Sequence, residues 1–104
     1  MDLRKILSIQ KNFEIQENLP DGVLVTGTNA TIQWANDVAY NLFNIPEGQF
    51  VSKTINDILE NGYDLVINSA NTKKALIAKS TQGDEYFELT SREIEGGYVV
   101  CLRD

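Results

Sequence analysis

Apolar residues in this chain change their spacing three times, and that order constrains the fold more than any single motif. Over residues 1–19, Leu3, Ile6, Leu7, Ile9 and Phe13 share one broad face at 3.6 residues per turn, the pattern of an amphipathic helix. Ile15 and Leu19 point nearly opposite, which fits a helix whose beginning and end meet different partners. Pro20 stops it, and Asp21-Gly22 turns the chain. The period then drops to that of short strands, with β-branched runs at residues 23–26 and 31–34 around the hairpin-forming Gly27-Thr28-Asn29-Ala30.

From Asn36 the helical period returns. Val38, Ala39, Leu42 and Phe43 form about two amphipathic turns over residues 37–43, with Asn36 placed as N-cap and Ile45-Pro46-Glu47-Gly48 ending them. Val51, Ile55, Ile58 and Leu59 mark a short helical or irregular stretch that Asn61-Gly62 breaks. Tyr63, Val66, Ile67 and Ala70 then predict a helix over residues 63–70. The last part is strand-like at 74–80, 85–92 and 98–103, with turns at Gln82-Gly83-Asp84 and Gly96-Gly97. Two strands, a block of small helices and three more strands predict an α+β fold with an antiparallel sheet.

At 104 residues the chain is expected to form one domain. Nine Lys and Arg against fifteen Asp and Glu leave a net charge of −6. That sign disfavours nucleic acid and anionic membrane surfaces, whose affinity for proteins comes largely from cations. No apolar run reaches the ~20 residues of a membrane span, and Met1-Asp2-Leu3-Arg4 does not open a signal peptide. The single Cys forms no internal disulfide, so a reducing, cytoplasmic setting is the expectation. The chain contains no histidine, which removes histidine-ligated haem or metal, a Ser-His-Asp triad and a phosphoaccepting histidine.

The residues that could carry chemistry have simpler structural roles. Asp84-Glu85, Glu93 and Glu95 sit in or beside turns with no partner base, as solvated surface charges do. The glycines are dispersed at turns and make no phosphate-cradling loop. Cys101, on the last strand, is expected to be a small buried hydrophobe rather than a haem ligand, and Tyr40 and Tyr63 are given no haem role either. Trp34 is expected in packing rather than in ligand stacking, and Asn36 as a cap rather than a ligand-binding amide. No activated nucleophile or acid–base pair stands out, so no enzymatic activity is expected of the chain itself.

The order of elements and several particular residues resemble the PAS sensory domain. Leu19-Pro20-Asp21-Gly22-Val23-Leu24-Val25 is similar to the family's approach to its first strand, and Ile32-Gln33-Trp34-Ala35-Asn36 to its second strand ending in Asn. Asn36 with Ala39, Leu42 and Phe43 resembles the Asn-x-x-Ala-x-x-Leu-Phe pattern that opens its first helix. Lys53-Thr54-Ile55 with Asp57-Ile58-Leu59 resembles the next helix, and Val99-Val100-Cys101-Leu102-Arg103-Asp104 the final strand. The match runs from about Leu19 to Asp104 and carries no flavin-adduct Gly-x-Asn-Cys-Arg motif. Gly27 stands where the family often has Asp, and Ala30 where it often has Gly, which implies a rearranged hairpin.

The resemblance implies a PAS domain over residues 19–104 preceded by a signalling or dimerisation helix over 1–18. It implies a five-stranded antiparallel sheet in order 2-1-5-4-3 with short helices on one face, burying Ile32, Phe43, Ile55, Ile67 and Leu89. A core filled by side chains is expected, without haem or flavin; a small apolar cavity, if present, would be lined by Trp34, Phe43, Ile55, Ile67 and Leu89. Homodimerisation is expected through Leu3, Ile6, Ile9 and Phe13, whose face is wider than a solvated helix carries. The implied function is that of a sensory and regulatory module, compact in type, feeding an output domain after Asp104 as in bacterial sensor histidine kinases. A diguanylate cyclase, a cyclic-dinucleotide phosphodiesterase or a transcription regulator would carry the same module. A free-standing domain binding an apolar small molecule is the alternative of another class.

Overall fold

The computed structural model describes residues 21–104. Their elements run β1 (Gly22–Gly27), β2 (Ile32–Ala35), α1 (Asp37–Phe43), α2 (Glu47–Phe50), α3 (Ile55–Ile58), α4 (Gly62–Thr72), β3 (Leu76–Lys79), β4 (Tyr86–Ile94) and β5 (Gly97–Arg103). The five strands form one antiparallel sheet in the order β2-β1-β5-β4-β3, as expected. First and last strands are therefore neighbours at the centre of the sheet, with Gly22 opposite Leu102.

Each helix has a local cause. The Asn36 side chain accepts the Ala39 N–H and starts α1, and Asn44 ends it in the left-handed conformation at φ 54°. Thr54 and Asp57 form a reciprocal capping box on α3. Asn61 turns the chain at φ 53°, and Asn56 Oδ1 accepts the Tyr63 N–H in the first turn of α4. Gly62 is needed there, because a Cβ would lie 2.7 Å from the Ile55 carbonyl oxygen. The stretch around Ile45-Pro46 does end α1, but residues 47–50 start a further single turn, which brings Phe50 into the core.

Alternation along the strands gives the sheet two different faces. Leu24, Phe87, Leu89, Val100 and Leu102 pack with Ala39, Phe43, Phe50, Ile55, Ile58 and Val66 of the helices. Phe43 links α1 to β4 through Phe87, with ring centroids 5.1 Å apart, and meets Phe50 at 5.8 Å. On the other face Val23, Val25, Val99 and Cys101 form a second buried cluster, with Trp34 and Ile94 partly buried against it.

Ile32, Phe43, Ile55 and Leu89 are buried as expected, but Ile67 is not; it is half-exposed. The buried face of α4 is Gly62, Val66 and Ser69, rotated from the apolar stripe; Gly62 lies against Ile55 of α3, and Val66 and Ser69 meet β4. Two serine side chains cause the rotation. Ser69 Oγ donates to the Lys74 carbonyl and accepts the Ser91 N–H at 3.1 Å, while Ser91 Oγ donates to the Val66 carbonyl. These bonds fix the helix on β4 through polar groups that an apolar pattern does not display.

Candidate functional site

A sheet whose central strands are the first and the last of those described brings the two ends of the described segment together. At that junction Asp21 and Arg103, 82 residues apart, make a two-pronged ion pair. Arg103 Nε donates to Asp21 Oδ1 at 3.2 Å and Nη2 to Oδ2 at 3.1 Å. The Asp21 side chain is only 11% exposed, against 39% for Arg103. A planar guanidinium fork matched to a carboxylate fixes orientation as well as distance.

Asn36 completes the junction. Its Nδ2 donates to the Asp21 carbonyl at 3.0 Å, and its Oδ1 accepts both the Val23 and the Ala39 N–H at 3.0 Å. Its own N–H donates to the Val23 carbonyl. The expected cap is thus also a bracket joining the start of β1, the end of β2 and the first turn of α1. Sequence patterning identified Asn36 through its helix-start position, but not Asp21 or Arg103 as partners. Only the order of the strands shows that pairing.

Three of the five residues expected around a cavity come together, and two do not. Phe43, Ile55 and Leu89 share the helix-side core. Trp34 lies on the opposite face, since it stands opposite Val25 in the ladder and packs against the second cluster. Ile67 joins neither cluster's buried set. Cys101 is buried in the second cluster, opposite Val23. Leu3, Ile6, Ile9 and Phe13 lie outside the described residues, as does the rest of the helix expected over 1–18.

Tyrosines and a carboxylate gather at the other end of the sheet. Tyr63 Oη donates to the Thr28 carbonyl at 2.8 Å, pinning α4 to the β1–β2 hairpin. Tyr98 stands opposite Glu93 in the ladder. Burial, then the nearby Glu93 carboxylate and the Tyr63 hydroxyl, raise the Tyr98 phenol above its usual value of 10.0. No group of three or more His, Cys, Asp or Glu among the described residues could hold a metal ion. No helix among them is long and apolar enough to cross a membrane.

Comparison with known proteins agrees with this geometry. The sequence profile of the PAS fold family matches residues 10–103. Among solved structures, the chain is similar to a PAS domain from a two-component sensor histidine kinase, at 16% identity and TM-score 0.58, over 94% of this chain and 95% of that one. It is similar to a PAS domain from Colwellia psychrerythraea at 15% identity and TM-score 0.64, over 92% and 95%. A domain of a sensory box sensor histidine kinase/response regulator from Geobacter sulfurreducens gives 17% identity and TM-score 0.62, over 94% and 96%. No curated protein matches the chain.

Proposed function

Because the chain belongs to the PAS family, we propose that it is the sensory and regulatory module of a signal-transduction protein, in a host of the sensor histidine kinase type. The observation that carries this reading is the joining of the two ends of the domain by Asp21, Asn36 and Arg103. A module that passes a conformational bias along a chain needs its incoming and outgoing segments in mechanical contact, and here they share one ion pair. The kinase host is favoured because similar domains occur in proteins described as sensor histidine kinases. The module does not itself catalyse; its output is the state of the domain attached to it, and its setting is cytoplasmic.

In this reading the protein works as a homodimer through the helix expected over residues 1–18, with Leu3, Ile6, Ile9 and Phe13 at the seam. The signal acts on packing rather than on a prosthetic group; capture of a small apolar molecule is the alternative reading.

In the full-length protein, replacing residues 1–104 with an inert dimeric coiled coil should leave phosphoryl transfer intact but unresponsive to signal. An unchanged response would overturn the regulatory role. Sedimentation equilibrium of the wild type against Ile6→Glu with Phe13→Glu tests the seam. A monomeric wild type at tens of micromolar, or a double variant that dimerises equally well, would refute it. A haem or flavin band in an absorbance spectrum from 300 to 700 nm would refute the reading without a prosthetic group.

A further inference from the structure

We propose that Asp21, Arg103 and Asn36 form a latch that couples α1 to both ends of the domain, so that displacing α1 moves the two ends together. The proposal rests on the regulatory reading above and names the residues through which that module would act. Its basis is the way the polar groups are shared. Asn36 Oδ1 accepts from Val23, at the start of β1, and from Ala39, inside α1. Its Nδ2 holds the Asp21 carbonyl, and the Asp21 carboxylate holds Arg103, the last residue of β5. A chain of directed bonds therefore leads from the first turn of α1 to each end, through one amide and one ion pair.

The other end of α1 sits in the core. Phe43, in the last turn of the helix, packs on Phe50 and Phe87. Seven residues of helix span about 10 Å and move nearly as a rigid piece. Anything that repacks the rings around Phe43 tilts the helix and pulls on the Ala39 N–H. Asn36 cannot follow that movement and still keep its bonds to Val23 and Asp21, because each of them is aimed within one planar amide. The core and the two ends thus cannot shift independently. Arg103 is the more exposed partner of the pair, while Asp21 is nearly enclosed.

Residue-resolved amide hydrogen exchange on the 104-residue chain tests the latch. Arg103→Gln removes the fork without touching Asn36 or α1. The Val23 and Ala39 amides should then exchange about tenfold faster, the size expected when one charged hydrogen-bonded pair is lost from a local opening. The Val66 and Leu89 amides, in α4 and β4, should change by less than about twofold. The charge exchange Asp21→Arg with Arg103→Asp should restore protection at Ala39. An unchanged Ala39 amide, an acceleration spread evenly over β4 and α4, or a failure of the exchanged pair to restore protection would each overturn the latch. None of these depends on what the host protein does. Conversely, a working latch in a full-length protein whose output ignores the domain would refute the regulatory reading alone.

Discussion

The Ala30 carbonyl accepts the Ile55 N–H at 2.9 Å, and Ala30 adopts φ 69° in doing so. This bond, with Ile32 N–H to the Lys53 carbonyl at 2.8 Å and Ser52 N–H to the Ile32 carbonyl at 2.9 Å, ties the β1–β2 hairpin to the segment that leads into α3. A side chain in the left-handed region costs about 1 kcal/mol. Ala30 keeps the backbone shape that glycine would take most easily, at the position where the resemblance led one to look for a glycine.

Substitutions at left-handed positions should therefore separate by burial. Lys73 is exposed at φ 58° behind α4, so Lys73→Gly should stabilise by about 0.5–1 kcal/mol and raise Tm by about 4 °C. Ala30 is buried, so Ala30→Gly exchanges conformational relief for a lost methyl contact and should change stability by less than about 1 kcal/mol. Ala30→Val should cost at least about 2 kcal/mol. Thermal melts of the three variants check the order; a Lys73→Gly protein that melts below the wild type would contradict it.

Asn36 does more than cap a helix, and its removal should show this. Asn36→Ala strips the partner from Val23, Ala39 and Asp21 at once. The expected loss is about 2–3 kcal/mol in urea unfolding, above the ~1 kcal/mol of an ordinary N-cap. A loss of about 1 kcal/mol or less would mean that only the cap bond contributes.

Two glycines in similar-looking turns should behave oppositely. A Cβ on Gly97 would lie 1.8 Å from the Thr26 carbonyl oxygen, because the central strands approach closely there. Gly97→Ala should cost about 3 kcal/mol or more, or prevent folding. A Cβ on Gly83 meets nothing within 4 Å, and Gly83→Ala should stay within about 0.5 kcal/mol of the wild type. Circular dichroism and chemical denaturation of both read the contrast.

The rotation of α4 has its own test. Val66 is buried against the sheet, and Ile67, although larger, is half-exposed. Val66→Ala should cost about 2 kcal/mol and Ile67→Ala under about 1 kcal/mol. The reverse order in denaturation midpoints would restore the apolar stripe as the packing face. Ser69→Ala should behave like Val66→Ala, since it orphans the Ser91 N–H.

Alkaline pH should weaken the fold through Tyr98. Its phenol is held above 10.0 in the folded state, so the folded protein keeps this proton longer than the unfolded chain. Stability from this group is full below about pH 10 and is lost as pH rises through the raised value. Denaturation midpoints measured from pH 8 to 11 should fall, and Tyr98→Phe should flatten that fall. An equally steep fall in Tyr98→Phe would assign it to other groups.

By itself the sequence determined the succession of strands and helices, apart from the turn at residues 47–50, and the start of α1 at Asn36. These follow from local periodicity and capping chemistry, which act over a few residues and are written directly in the chain. The sheet order came with the resemblance to PAS domains rather than from periodicity. Only the tertiary structure decided which face of α4 meets β4, because the Ser69–Ser91 bonds draw Val66 inward and leave Ile67 half-exposed. Trp34 looked like a neighbour of Phe43, yet the ladder partner Val25 places it across the sheet. The pairing of Asp21 with Arg103 was equally hidden: the two residues meet only because β1 and β5 lie side by side. Charge and hydrogen-bond partners of this kind depend on distance in space, and a pattern read along the chain contains no measure of that distance.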